Sequence, residues 1–502
     1  MSPELVDLRP LLALLASLFC AGAVFAVRHS SRWRAFWSLA AAGIKFALVW
    51  SMLPGSLAGK VYVYQFGELL PGVAFGFRVD ALGLFFALVS STLWVLTTVY
   101  ALAYMRGSHS LHRFFGFFAL CISTTVGIAF AENLLTLFVF YELLTVCTYP
   151  LIMHDENLAA RRAGRKYLVY TLCGGGLILA GMVVLYFTTG TLSLAESGIL
   201  DASAERAGLL AIFLLLIAGF GVKAALMPLH AWLPAAMVAP TPVSALLHAV
   251  AVVKAGVFGI LRVIYNVFGI DLLRDLGYAD WLAMLAGSAI VIASVNALRQ
   301  KKIKARLAWS TISQLSYIVL AAALLVPLAA LAAIIHIANQ AFAKITMFFV
   351  AGAIERGTGK TRVDELAGVG RRMPWTMAAF TISSLSFMGV PLMAGFVTKW
   401  YLSMGALQAG AGLYVGVMVV SGLLNAAYWL PMIYQAFFQP VPGDEKRDPQ
   451  HRARVSPMMI APVLICAAYV ILLGAGASAP AMPFSLAEAA ARFAFELEVP
   501  LE

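Results

Sequence analysis

Five ionisable side chains, Glu142, Lys223, Lys254, Lys344 and Lys399, lie in apolar stretches long enough to cross a membrane. A charge near the centre of a bilayer costs at least about 2.5–3.5 kcal/mol on insertion scales, so such groups pair or line a hydrated path. One carboxylate and four lysines on separate spans have the pattern of a proton or ion relay. Histidine accompanies two of the lysines: His248 lies six residues before Lys254, and His336 eight before Lys344. Imidazole is the side chain whose ordinary pKa lies closest to neutral.

Helical spacing sorts these residues onto faces. In AIIHIANQAFAKITMFFV, His336, Gln340 and Lys344 fall at i, i+4 and i+8, one polar stripe that can pass protons from side chain to water to side chain. Histidine and glutamine also bond membrane helices to one another for about 0.6–2 kcal/mol. That glue does not need a buried ammonium. In NLLTLFVFYELLTVCTYPLIMH, Glu142, Thr145 and Tyr149 share a face. If Glu142 lies near Lys223, the two form a pair that is charged when close and releases a proton when apart, a bistable element. His248 and Lys254 are not on one strict face, but both can border a central cavity. Lys45 and Arg262 read as snorkelling or lipid-facing structural charges. His230 is a gate or only a cap.

The elements that hold these residues must be membrane helices. Of the 502 residues, 62% are hydrophobic and 12% charged, where soluble folds carry roughly 25% charge. Mean hydropathy is +0.89. Nothing shows the short alternating strands of an outer-membrane barrel. Hydropathy predicts about 14 spans, near 8–27, 35–53, 81–104, 113–131, 134–153, 166–188, 208–227, 242–267, 279–298, 305–326, 328–353, 374–403, 410–437 and 455–476. They are numbered in that order below. The connections after the odd-numbered spans carry 23 Lys and Arg, and the termini and other connections carry 6. That split predicts cytoplasmic basic loops with both termini outside. The net charge of +11 is therefore a topology signal rather than a nucleic-acid surface. Acidic Glu4 and Asp7 precede Arg9, which suits an uncleaved first span. The stretch from Pro480 to Glu502 is expected to form a short amphipathic helix on the outer surface. Five cysteines in apolar segments, with no CxxC, read as small hydrophobes and indicate no disulfide framework or iron–sulfur site. No phosphate loop, dinucleotide fingerprint, hydrolase triad or metal-ligand spacing occurs, so neither cofactor nor metal is expected.

Two spans should be broken. Span 7 reads AGFGVKAALMPLHAWLP, with Lys223 before Pro228 and Pro234. Span 12 reads SFMGVPLMAGFVTKWYL, with Gly389, Pro391 and Gly395 before Lys399. Proline removes a donor and clashes with the preceding turn. A break inside lipid is tolerated only where it is buried or hydrated. Interrupted spans five apart, each with a lysine, point to two halves of opposite topology around a transport site.

At these residues the chain resembles the antiporter-like membrane subunits shared by Mrp-type multisubunit cation/proton antiporters and respiratory complex I. The likeness runs over roughly residues 75–440. It is carried by FYELLTVCTYPLIMH (140–154), VKAALMPLHAWLPAAMVAPTPVSALLHAVAVVKAGVFGILRV (222–263), ALRQKKIKARLAWSTISQLSYI (297–318), VDELAGVGRRMP (363–374) and GVPLMAGFVTKW (389–400). The span 5 and span 8 wording is most similar to the Mrp D subunit. The resemblance implies an all-α fold of about 14 helices with spans 4–8 and 9–13 as inverted five-helix repeats. The chain would then divide into 1–110, 111–268, 269–440 and 441–502.

It also implies roles. Glu142 resembles the family's span 5 glutamate, Lys223 its partner lysine, Lys254 and His248 the span 8 link, Lys344 the span 11 connecting lysine and Lys399 the span 12 terminal lysine. From the residues themselves, His336 is expected on the proton path, and His230, Gln340, Pro228 and Pro391 are candidate gating positions. Two departures stand out. Gln340 occupies a place where many relatives have a second histidine, and Pro391-Leu392 replaces a double proline. The implied function is proton translocation in a multisubunit Na⁺/H⁺ antiporter of a bacterial inner membrane, with other subunits, H⁺ and Na⁺ as partners. The alternative is a pumping subunit of a complex I-like enzyme or membrane-bound hydrogenase. A non-conducting scaffold is a third reading, against which the retained lysines argue.

Overall fold

The computed structural model describes residues 4–194, 198–440, 455–477 and 483–495. The expected loop before span 14 (441–454) and part of the C-terminal stretch lie outside the described residues. With no water available in a bilayer core, apolar runs satisfy their backbone groups as helices. Among the described residues twelve helices are long and apolar enough to cross a membrane. The two other expected spans are the helix Ile303–Ala323, with Lys304 and Arg306 in its first turn, and the interrupted pair Pro374–Met388 and Ala394–Gln408.

Polar caps set the span starts. Asp80 accepts from the Gly83 amide, Asn133 from Thr136 and Asn157 from Ala160, each at 2.8 Å. Spans 6 and 11 are longer than expected, as Leu158–Thr189 and Pro327–Thr358. Left-handed Gly190 and Gly359 end them. Arg161, Arg162, Arg165 and Lys166, expected in a loop, form the first turns of span 6.

The connection between spans 2 and 3 is a sheet that the helical reading missed. Strands β1 (Glu4–Val6), β2 (Val61–Leu70) and β3 (Val73–Val79) lie in that order, β1 parallel and β3 antiparallel to β2. Its signal was present: Val61–Phe66 is all β-branched or aromatic apart from Gln65, and Pro71-Gly72 makes the turn. The helix Pro483–Ala494 forms as expected. It is docked rather than free on a surface: Leu486, Ala487, Ala490 and Ala491 are buried against spans 3 and 11.

Burial puts spans 8 and 11 at the centre. Span 8 (Thr241–Phe268) is fully buried and the most apolar 18-residue stretch of span 11 is 94% buried, against 28% for that of span 13 (Leu413–Phe438). Span 8 is also irregular. Its turn at Leu246–Val250 is π-helical, with the Ala251 amide reaching the Leu246 carbonyl at 3.0 Å, and a second π turn covers Val263–Phe268. Such turns gather at functional sites. The two breaks occur where predicted. The first half of span 7 ends at Lys223 (Arg206–Lys223), before left-handed Ala225; span 12 stops at Met388 and resumes at Ala394 through left-handed Gly389 and Leu392.

A buried line of lysines and histidines

The first half of the candidate path lies between spans 5, 6 and 7. Glu142, on span 5 (Leu134–Ile152), turns its carboxylate onto Gly175 of span 6. A Cβ built on that glycine would stand 2.5 Å from Glu142 Oε1. Tyr149 faces the same helix at Gly164. Lys223 is buried, donates to the Tyr141 carbonyl and holds its ammonium 3.4 Å from the Tyr141 ring centroid. No ion pair joins Glu142 to Lys223 among the described residues, and Glu142 Oε1 has no hydrogen-bond partner there.

The centre holds three titratable side chains without hydrogen-bond partners among the described residues. Both ring nitrogens of His248 and of His336, and Nζ of Lys254, are buried with no hydrogen bond. Lys344 is buried as well. Gln340 lies against span 8, its Nε2 3.4 Å from the His248 carbonyl, while its Oε1 is also unpartnered. The His248 ring packs 4.8 Å from Phe348, and the His336 ring 5.8 Å from Tyr317.

The second half is more fully bonded. Lys344 Nζ donates to Ser310 Oγ at 2.6 Å and sits 4.3 Å from the Phe387 ring centroid. Tyr428 Oη lies 3.1 Å from the same Ser310 Oγ and donates to Asn425 Oδ1 at 2.5 Å. Asn425 in turn donates to the Ser421 carbonyl at 2.7 Å. Lys399 reaches back across the break in span 12 to the carbonyls of Phe387 and Met388, at 2.8 and 3.1 Å. Tyr317 lies beside both Lys399 (5.9 Å to the ring centroid) and His336.

The two break lysines differ in position. Lys223 precedes its break and Lys399 follows its own. The Lys399 ammonium sits at the C-terminal end of a half-helix, where unpaired carbonyls and the helix dipole favour a cation, whereas Lys223 is the last residue of its half-helix but turns its ammonium to the Tyr141 carbonyl of span 5.

A family model described as NADH:quinone oxidoreductase/Mrp antiporter, TM, matches residues 131–425, and one described as NADH-Ubiquinone oxidoreductase (complex I), chain 5 N-terminus, matches 71–115. The first match takes in every candidate from Glu142 to Lys399. The chain belongs to the NADH:quinone oxidoreductase/Mrp antiporter family. It is 33% identical over 390 residues to NADH-quinone oxidoreductase subunit N of Desulforudis audaxviator, covering 75% of this chain and 77% of that one. It is 32% identical over 390 residues to the putative antiporter subunit mnhA2 of Staphylococcus saprophyticus, covering 71% of this chain and 48% of that relative, about half its length. A chain in the structure of the Mrp complex from Dietzia sp. DQ12-45-1b matches with a TM-score of 0.87 at 23% identity and 98% coverage of both, a likeness of fold.

Within this family member, two sequence readings need correction. Lys45 does not snorkel: it is fully buried, donating to Ser17 Oγ at 2.5 Å and to the Ile122 carbonyl at 3.2 Å, with Trp94 beside it. Arg262 does not face lipid: it pairs with both Asp80 oxygens at 2.5 and 2.8 Å and bonds Asn266 at 3.1 Å. Burial works to raise the Asp80 carboxyl, yet the Arg262 guanidinium and the Gly83 amide hold it below its ordinary value. Hydropathy alone cannot tell lipid from protein as the surrounding of a charge.

Span 13 carries functional candidates that the charge-based reading passed over. Ser421, Asn425 and Tyr428 fall at i, i+4 and i+7, the same stripe signal that marks span 11. The His230 ring lies 5.1 Å from that of Trp309, tilted by 57°, and Pro228 is exposed.

Proposed function

We propose that this chain is a proton-translocating subunit of a multisubunit Mrp-type Na⁺/H⁺ antiporter, embedded with other subunits in a bacterial inner membrane. One observation carries the reading: Lys254, His248 and His336 are buried with atoms that have no hydrogen-bond partner among the described residues, Glu142 is half-buried with one such oxygen, and the Lys399 ammonium sits at a half-helix end. Buried polar atoms without partners are rare in native proteins, and each costs about 1–3 kcal/mol. Exchange of protons with ordered water is a physical reason to keep such a line. Protons pass between Glu142–Lys223 and Lys254–His248 in one half, and His336, Lys344 and Lys399 in the other. Because Gln340 cannot take up a proton at neutral pH, the hand-off to Lys344 relies on His336 or water. His230, Gln340, Pro228 and Pro391 are gating positions, and spans 4–8 and 9–13 are inverted repeats. The 23-to-6 division of basic residues supports cytoplasmic odd-numbered connections and outer termini.

A second reading, a pumping subunit of a redox-driven complex, is favoured by the 77% coverage of an NADH-quinone oxidoreductase subunit N. Everted membrane vesicles containing the whole complex test both. Na⁺-driven alkalinisation or acidification without any electron donor is expected, and its loss in Glu142→Ala and Lys223→Ala. Transport that appears only with an electron donor supports the second reading. Wild-type rates in both variants leave a scaffold.

A further inference from the structure

The fold brings together three metal-binding side chains that the sequence keeps apart. His109 lies in the connection after span 3 (Ala81–Tyr104), and His154 and Asp155 in the connection after span 5, both on the side of the basic loops. One ligand atom from each residue lies within 4.8 Å of the other two. His154 is 1% exposed, and neither of its ring nitrogens has a hydrogen-bond partner among the described residues. A buried imidazole with two idle nitrogens needs a partner, and here two further ligands adjoin it.

We propose that His109, His154 and Asp155 form a binding site for one divalent transition-metal ion of the zinc class. Two imidazoles and a carboxylate are the donor set of Zn²⁺, Ni²⁺ or Cu²⁺ sites; Mg²⁺ and Ca²⁺ prefer oxygen ligands throughout. The rings of His109 and His154 now stack, with centroids 4.6 Å apart and planes 8° apart. Capture of an ion therefore requires His109, an exposed residue, to swing out of the stack. His154 is held in place: Phe114 packs edge-on against its ring, and Arg113 donates to its carbonyl at 2.9 Å. The Arg113 charge is already taken up by Glu156, which lessens its repulsion of an incoming cation. Asp155 borders a cavity of about 330 Å³ whose wall also carries Ser108, Glu355, Lys304 and Arg356, so the carboxylate side of the site faces open space. A bound ion would tie the end of span 3 to the end of span 5, the helix that carries Glu142.

The test is metal binding to the purified whole complex, which does not depend on the transport reading. Zinc competition against a chromophoric chelator is compared in wild type, His109→Ala and Asp155→Asn, exposed positions whose replacement leaves the fold intact. One zinc per chain is expected in the wild type, weakened about tenfold or more by either change. Cu²⁺ electron paramagnetic resonance should show two coupled nitrogens in the wild type and one in His109→Ala. Equal zinc stoichiometry and affinity in all three proteins, or a copper spectrum unchanged by His109→Ala, would overturn the site.

Discussion

Ser310→Ala removes the one hydrogen-bond acceptor that Lys344 Nζ has among the described residues, at 2.6 Å, and leaves the ammonium only the rings of Phe387 and Trp429. A hydrogen bond to a charged group contributes about 1.5–3 kcal/mol. Because 1.36 kcal/mol is a factor of ten, the charged state of Lys344 should become about 10- to 150-fold less favoured. If that state is an obligatory step, proton flux at neutral pH falls by the same factor, with the complex still assembled. Tyr428→Phe keeps the ring packed on Trp429 but removes the hydroxyl that steadies Ser310 and Asn425. It should give a smaller loss. The two changes act on one ammonium, so the double variant should be no worse than Ser310→Ala alone, a non-additivity expected of a shared network. Dye-reported pH gradients in reconstituted vesicles measure the flux, and native gel mobility measures assembly. A Ser310→Ala complex that assembles and transports within about twofold of wild type would refute the reasoning, because that factor lies well below the bond's worth.

Gly175→Ala places a Cβ 2.5 Å from Glu142 Oε1 and 2.7 Å from its Cδ, so the carboxylate must swing away. An off-rotamer side chain costs about 0.5–1.5 kcal/mol, which predicts a change in transport of about 2- to 12-fold; no change would mean that the Glu142 position against span 6 is immaterial. Asp80→Ala strands Arg262 in a buried site and should lower the thermal stability of the complex by about 3–5 kcal/mol, read by detergent melting. The same pair sets a pH dependence. A depressed Asp80 stabilises the fold above its unfolded value of 3.8 and loses that contribution as pH falls below it, so Asp80→Ala should flatten the acid limb of the melting curve. Lys45→Met should leave transport unchanged and stability equal or higher, since the lysine has no carboxylate partner and stands outside the line; loss of transport would place it on the path.

What was legible in the sequence followed from the bilayer's demands. Apolar run length revealed the spans, and prolines and glycines beside Lys223 and Lys399 revealed the breaks, because each rule is local along the chain. The β2–β3 hairpin was missed because it was short and flanked by stronger helical signals. The π turn that bears His248 has no residue signature, since it depends on packing at the centre of the bundle. The surroundings of Lys45 and Arg262 were not readable either, because Ile122 and Asp80 lie far away in sequence. Span 13 is different: its Ser421, Asn425 and Tyr428 stripe is visible in the sequence but carries no ionisable group of neutral pKa to mark it. Nor could spacing reveal His109 beside His154, which depends on two separate connections meeting.

The central claim is that protons cross the membrane through this chain by way of Lys344. Its most direct test is proton flux in vesicles reconstituted with the purified complex carrying Lys344→Ala. The expected result is an assembled complex with no cation-driven pH gradient. A wild-type gradient from that variant would contradict the account.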